Sequence, residues 1–159
     1  SLHDALPILM DYLNNNTSEI YTNTLIKQCD YIDNRLSTIR NRILNTNIIF
    51  QGNSKSDIAS FLNLGTAQNL VHGFFRQPTN KCIHCNKSRT EVRQLERAHC
   101  NKNSMCRRDL LLRALDKTYI DEETPIHSKE ILIQFIKEHK TCPIYILCSS
   151  CHKNYDHPK

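Results

Sequence analysis

Lys81-Cys82-Ile83-His84-Cys85-Asn86 and Leu147-Cys148-Ser149-Ser150-Cys151-His152 are the two stretches on which the reading of this chain turns. Each carries two cysteines separated by two residues, a spacing that lets both thiolates point at one ion from a tight turn. Two such knuckles supply the four soft ligands that zinc takes in a tetrahedron. Cys82, Cys85, Cys148 and Cys151 are therefore the expected ligands of a structural zinc. Sixty-two residues lie between Cys85 and Cys148, more than a simple zinc ribbon needs, so an insertion is expected between the knuckles.

Working outward from the knuckles, the same half of the chain holds seven of the eight cysteines and the whole excess of positive charge. Residues 81–159 carry fifteen Lys/Arg against ten Asp/Glu, while residues 1–80 are balanced at six and six, so the formal +5 sits entirely in the second half. Lys87, Arg89, Arg93, Arg97, Lys102, Arg107 and Arg108 face only Glu91 and Glu96 in the same stretch. A local excess of this kind attracts a polyanion, most often a phosphate backbone. A solvated basic surface that binds nothing is the alternative on charge alone. Paired C-x-x-C motifs with no secretory signal before them indicate metal in an intracellular, reducing compartment, not a disulfide framework. No apolar run is long enough to span a membrane. Cys100, Cys106 and Cys142 read as buried thiols without a ligand, the alternative being a second metal shared with His99 or His139.

The insertion carries two helical patterns, Asp109–Leu115 and Ser128–His139, joined by the acidic loop 121–125. Val92–His99 reads as extended, and Ile144-Tyr145-Ile146-Leu147 is a β-branched run suited to a buried strand. Upstream, Leu25, Cys29, Ile32, Leu36, Ile39 and Ile43 recur at intervals of four and three and form one stripe of a long helix that begins near Thr17. The stripe fits the inner face of a bundle helix, and the helix over 25–43 also offers a homodimer contact. Cys29 lies on it as a core residue. Gln51-Gly52-Asn53 breaks this helix, Ser54 or Ser56 caps a second one ending at Gly65, and Thr66 opens a third towards Pro78. Those two short helices resemble a helix-turn-helix with Gln68 and Asn69 early on its second helix, although helical hairpins that bind nothing share the pattern. Residues 77–80 form a linker. Ser1–Ile8 resembles one reading frame of a sequencing-library adaptor and is set aside as a scar. The expected organisation is thus 1–8 scar, 9–78 helical region and 79–159 zinc-bound domain.

A C-x-x-C knuckle, a strand ending in histidine (Leu95-Glu96-Arg97-Ala98-His99) and a strand running into Leu147-Cys148-Ser149-Ser150-Cys151-His152 resemble the zinc-stapled HNH endonucleases over residues 80–157. The resemblance implies an α+β fold: a helical N-terminal region followed by a zinc-bound ββα-metal domain, here with a helical insertion. It implies metal-dependent hydrolysis of phosphodiester bonds, with DNA as the expected substrate and His99 as general base. His152 and Asp156 would ligate a catalytic magnesium or manganese ion separate from the zinc. Arg93, Arg97, Lys102, Arg107 and Arg108 would hold the nucleic-acid backbone. His84 is expected to face solvent. Two positions depart from the family pattern. Ala98 stands where an acidic residue or histidine precedes the base, and Glu96, two residues back on the same strand face, is its replacement. The middle asparagine of the family falls near Cys142 or Pro143, with Asn101 and Asn103 as alternatives. The rival readings are a non-catalytic zinc module that binds nucleic acid and a purely structural or protein-interaction zinc domain.

Overall fold

The computed structural model describes residues 2–46, 54–63, 67–69, 71, 80–99, 107–119, 121, 123 and 128–156, the side chains of residues 2–18, Leu62, Ser128 and Asp156 lying outside that description. Its elements are α1 (Leu2–Leu44), α2 (Lys55–Leu62), β1 (Leu95–His99), α3 (Arg107–Thr118), α4 (Ser128–Glu138), β2 (Ile144–Cys148) and α5 (Ser149–Asp156). The fold is α+β, mostly helical, with one two-stranded antiparallel sheet. Residues 51–53, the 64–66 turn, the 77–79 linker and residues 100–106 lie outside the described residues, and with them the expectations for Cys100, Asn101, Lys102, Asn103 and Cys106.

The apolar periodicity of α1 is spent inside the chain. Ile32, Ile39 and Ile43 are buried, while Leu25, Cys29 and Leu36 are half-buried. The expected stripe is thus buried at Ile32, Ile39 and Ile43 and half-buried at its other three positions, and Gln28 beside it is buried as well. α1 packs against α4 and β2. Gln28 is buried for its hydrogen bonds. Its Nε2 donates to the carbonyls of His139 (2.5 Å) and Cys142 (2.8 Å), and its Oε1 accepts from the Ile144 N–H (2.8 Å). One amide thus satisfies three backbone groups of the turn between α4 and β2, groups that burial would otherwise leave unpaired at a cost of about 1–3 kcal/mol each. The same turn is held from outside by the ion pair of Lys140 with Asp33 and by the Cys29 thiol, which donates to the Lys140 carbonyl at 3.3 Å.

α2 starts at a reciprocal capping box: Ser54 Oγ accepts from the Asp57 N–H at 3.1 Å, and Asp57 accepts back from the Ser54 N–H. Residues 67–69 and 71 are helical; Ala67 and Val71 are buried, Gln68 donates to the Asn63 carbonyl at 3.1 Å, and Asn69 is exposed. α3 and α4, the expected insertion, pack on each other. They contribute Leu110, Leu111, Ala114 and Leu115 from one side and Ile131, Leu132, Phe135 and Ile136 from the other to a single core that also takes in α1 and β2.

The register of the sheet sets everything that follows. Leu95 pairs with Cys148 and His99 with Ile144. Strand side chains alternate, and directly opposed residues share a face. Glu96, Ala98, Tyr145 and Leu147 therefore line one face, and Leu95, Arg97, His99, Ile144, Ile146 and Cys148 the other. α5 covers the first face, with the Tyr155 ring edge-on to Tyr145 at 6.2 Å. The C-terminal end of α4 reaches the second at Ile144 and His99. β1 is shorter than the extended stretch expected from sequence: Ser88, Glu91 and Val92 form a turn closed by N–H bonds to the Ser88 carbonyl.

Candidate metal centre and histidine pair

The two knuckles meet at the Leu95–Cys148 end of the sheet. In the first, the Cys82 N–H donates to the Lys87 carbonyl and the Asn86 N–H to the Cys82 carbonyl, both at 2.9 Å. Closing so tight a turn puts Asn86 at φ 60°, a left-handed conformation that asparagine tolerates because its side chain bonds locally. The Cys85 N–H lies 3.5 Å from the Cys82 sulfur. The second knuckle ends β2 at Cys148 and places Cys151 in the first turn of α5, where the helix N-terminus favours a thiolate. An N–H···O bond of 2.9 Å from Ile83 to Ile146 ties the first knuckle to the middle of β2.

The sulfurs of Cys82, Cys85, Cys148 and Cys151 all lie within 4.8 Å of one another. Cys85 and Cys148 Sγ are 3.8 Å apart, far outside a disulfide bond and equal to the edge of a tetrahedron with zinc–sulfur bonds of about 2.3 Å, which is about 3.8 Å. The donor set fits zinc. The acidities agree with it. Burial opposes ionisation of Cys82, yet hydrogen bonds from backbone groups at Cys85, Cys148 and His84 carry its thiol below the usual range. Burial, joined by the neighbouring sulfurs Cys148 and Cys82, holds Cys151 far above it, and Cys85 is raised chiefly by burial. Ligation by thiolates is how metal binding becomes folding free energy. Among the described residues no other group of three or more potential ligands converges. Cys29 and Cys142 lie outside it, neither in a disulfide. His84, expected at the surface, is half-buried, and burial lowers its pKa.

The nuclease-type residues fall at two further places. On the α5-covered face, Glu96 Oε2 stands 3.6 Å from His152 Nδ1, so the residue two before Ala98 meets the residue directly after the second knuckle. Asp156 closes α5, its side chain outside the described residues. On the opposite face, at the far end of β1, His99 Nε2 is 3.0 Å from His139 Nε2. The small cavity beside this pair is lined by Gln68, Val71, Arg97, His99, Arg107, Phe135, His139 and Ile144. Of the five basic residues picked from sequence, Arg97 and Arg107 come together there, and Arg93 and Arg108 are exposed elsewhere on the surface. The Arg107 guanidinium sits over the Phe135 ring at 5.6 Å and donates to Asn63 Oδ1 at 2.6 Å. His99 and His152 thus sit on opposite sides of the strand. His99 is joined with His139, and His152 with Glu96.

From sequence, His139 stands only as an alternative ligand of a second metal. Its ring is wholly buried, and its Nδ1 meets the Phe135 carbonyl at 2.8 Å. Burial, with the charges of His99 and Arg107, pushes its pKa down to about 3. The one available sequence signal is its position four residues after Phe135, on the buried face of α4. Comparison with protein-family models, curated proteins and solved structures returns no match. No helix among the described residues is long and apolar enough to cross a membrane.

Proposed function

We propose that this chain is an HNH-type, metal-dependent endonuclease that hydrolyses phosphodiester bonds in nucleic acid, with DNA as its expected substrate. The observation that carries the reading is the β1–β2–α5 unit with its four converging cysteines, which brings Glu96 and His152 to 3.6 Å. Two ligands of one divalent ion lie about 3 to 3.5 Å apart, given metal–ligand bonds of about 2.1 Å. A carboxylate oxygen and an imidazole nitrogen suit magnesium or manganese at such a place. Glu96 then takes the ligand role that Ala98 cannot fill, and His152 is its partner, with Asp156 a third candidate. When bound, the ion supplies Lewis-acid stabilisation of charge on the scissile phosphate.

The resemblance gives the general-base role to His99, one residue beyond Ala98. Its ring lies with Arg97 and Arg107 on the opposite side of β1 from Glu96 and His152, so it does not share a cavity with an ion held there, and the reading rests on the metal-ligand pair. The structural zinc takes no part in this chemistry.

Incubation of supercoiled plasmid with the protein in magnesium, in manganese and in EDTA tests the proposal. Nicked or linear product is expected in the metals and none in EDTA. His99→Ala decides the base role: a rate lowered by on the order of a hundred- to ten-thousand-fold at unchanged zinc content, melting temperature and DNA affinity would establish it, and an unchanged rate would remove it. His152→Ala should lose cleavage and regain part of it at higher manganese. Salt-dependent DNA binding with no cutting in either metal would replace this reading with the non-catalytic binding module.

A further inference from the structure

The cavity beside β1 carries charge of one sign. Arg97 reaches it from the strand and Arg107 from the first residue of α3, both half-buried. No acidic side chain among the described residues lines it, and Glu96 stands on the other side of the strand, with His152. Val71, Phe135 and Ile144 supply an apolar wall, which keeps the local dielectric low and strengthens any charge interaction made there. Burial lowers the Arg107 pKa, the mark of a cation held partly out of water. The polar groups are held from behind by one residue. Asn63, the C-cap of α2, accepts from Gln68 Nε2 on its carbonyl at 3.1 Å and from Arg107 Nη1 on its Oδ1 at 2.6 Å. A guanidinium carries five N–H donors in a fixed fork, so the bond to Asn63 sets the direction of Arg107 without exhausting it.

A second metal ion is the wrong occupant. The two imidazoles of the cavity do meet at 3.0 Å, but a dication beside them would sit against two guanidinium groups. The His139 ring reports the same positive surroundings: burial first, then the charges of His99 and Arg107, disfavour its protonated form.

We propose that this cavity is an oxyanion site that takes one phosphate group between Arg97 and Arg107, beside Gln68. Planar guanidinium forks suit the oxygens of a phosphate, which they bind in pairs of charge-assisted hydrogen bonds. At about 30 Å³ the cavity has room for a phosphate group and none for a nucleoside. Lying across β1 from Glu96 and His152, it does not hold the phosphodiester that an ion there would polarise, and it stands apart from the nuclease reading. Two sources share the chemistry, free inorganic phosphate and the terminal phosphate of a nucleic acid.

Nitrogen-15 spectra of the imidazole and guanidinium groups test the site in the zinc-loaded chain, titrated with inorganic phosphate against chloride at constant ionic strength. Phosphate should move the His99, His139 and Arg107 signals saturably, at one site per chain, and leave His152 unmoved. Arg97→Gln and Arg107→Gln should each weaken binding by on the order of ten- to a hundredfold. Arg93→Gln, on the exposed surface, should leave it unchanged. Shifts that do not saturate, that reach His152 equally, or that survive Arg97→Gln would overturn the proposal. So would two zinc ions per chain falling to one in His139→Phe, because the cavity would then hold a metal. If Arg107→Gln does not fold, the wild-type titration and Arg97→Gln decide the matter. A terminally phosphorylated oligonucleotide and its hydroxyl-ended counterpart separate the sources. Larger shifts of the same signals with the phosphorylated strand assign the site to a nucleic-acid end, and shifts with inorganic phosphate alone assign it to a free anion. No readout depends on cleavage, so a wild type that cuts nothing defeats the nuclease reading and leaves this test standing.

Discussion

The two ends of one short sheet are built by different means. At the Leu95–Cys148 end, four sulfurs gather from two local turns, and each turn brings two of them within its own few residues. At the His99–Ile144 end, four residues and about 13 Å away, two imidazoles meet because separate elements deliver them. The first end is four sulfurs that could hold one metal ion. The second depends on one buried amide and one hydrogen bond between side chains, so it can loosen without the fold being lost. The contrast teaches that the staple and the site can be broken independently.

The largest effect is expected at the staple. Cys82→Ser or Cys148→Ser should abolish zinc binding and leave a chain that does not fold, because ligation of this kind contributes about 10 kcal/mol or more. Elemental analysis and circular dichroism would check it; protein purified without chelator that contains no zinc would sink the four-cysteine zinc reading. Next comes the tether behind the histidine pair. Gln28→Leu removes partners from three backbone groups and should cost about 3 kcal/mol or more by denaturant titration, with zinc retained. A loss below about 0.5 kcal/mol, the range of an ordinary surface substitution, would mean that the turn at 139–144 is held without Gln28.

The acid side of the stability curve sharpens the comparison further. His139 is neutral in the folded protein, with a pKa pushed down to about 3 from an ordinary value of 6.5. Between those values the unfolded chain binds the extra proton. Stability is therefore fully present above about pH 6.5 and falls as pH drops towards 3, by on the order of a few kcal/mol in all. His139→Phe should flatten this fall relative to wild type at matched zinc content. Identical slopes for the two proteins would show that His139 titrates normally. Removal of Ser54 Oγ at the α2 cap is expected to cost about 1 kcal/mol and to leave both ends of the sheet unchanged. Smallest of all, deletion of residues 1–8 should leave the melting temperature nearly unchanged, and a substantial drop would show that these residues pack.

Patterns that depend on nearest neighbours along the chain are legible in the sequence. Both knuckles, α2 with its Ser54 cap, α3, α4 and β2 follow from spacing, capping and periodicity within a few residues. The helix runs from Leu2 and not from near Thr17; the polar run Asn14-Asn15-Asn16 hides the earlier stripe of Leu2, Leu6, Leu9 and Leu13, spaced at four, three and four. The buried line of that helix keeps Ile32, Ile39 and Ile43 of the apolar stripe and begins at a glutamine beside it. Polarity hides Gln28 from a hydrophobic count, and only the three backbone groups it satisfies explain its burial.

The sequence by itself determined which four cysteines converge, the α+β class and the helical insertion, since each rests on short-range geometry: two thiolates per turn, about 3.6 residues per helical turn, a two-residue repeat along a strand. Only the tertiary structure decided that Glu96 faces His152 and that His99 faces His139. Strand register assigns each residue of β1 to one side of the sheet, and the packing of α4 and α5 decides what waits on each side. That choice is made by burial summed over the whole core, a quantity no local spacing contains.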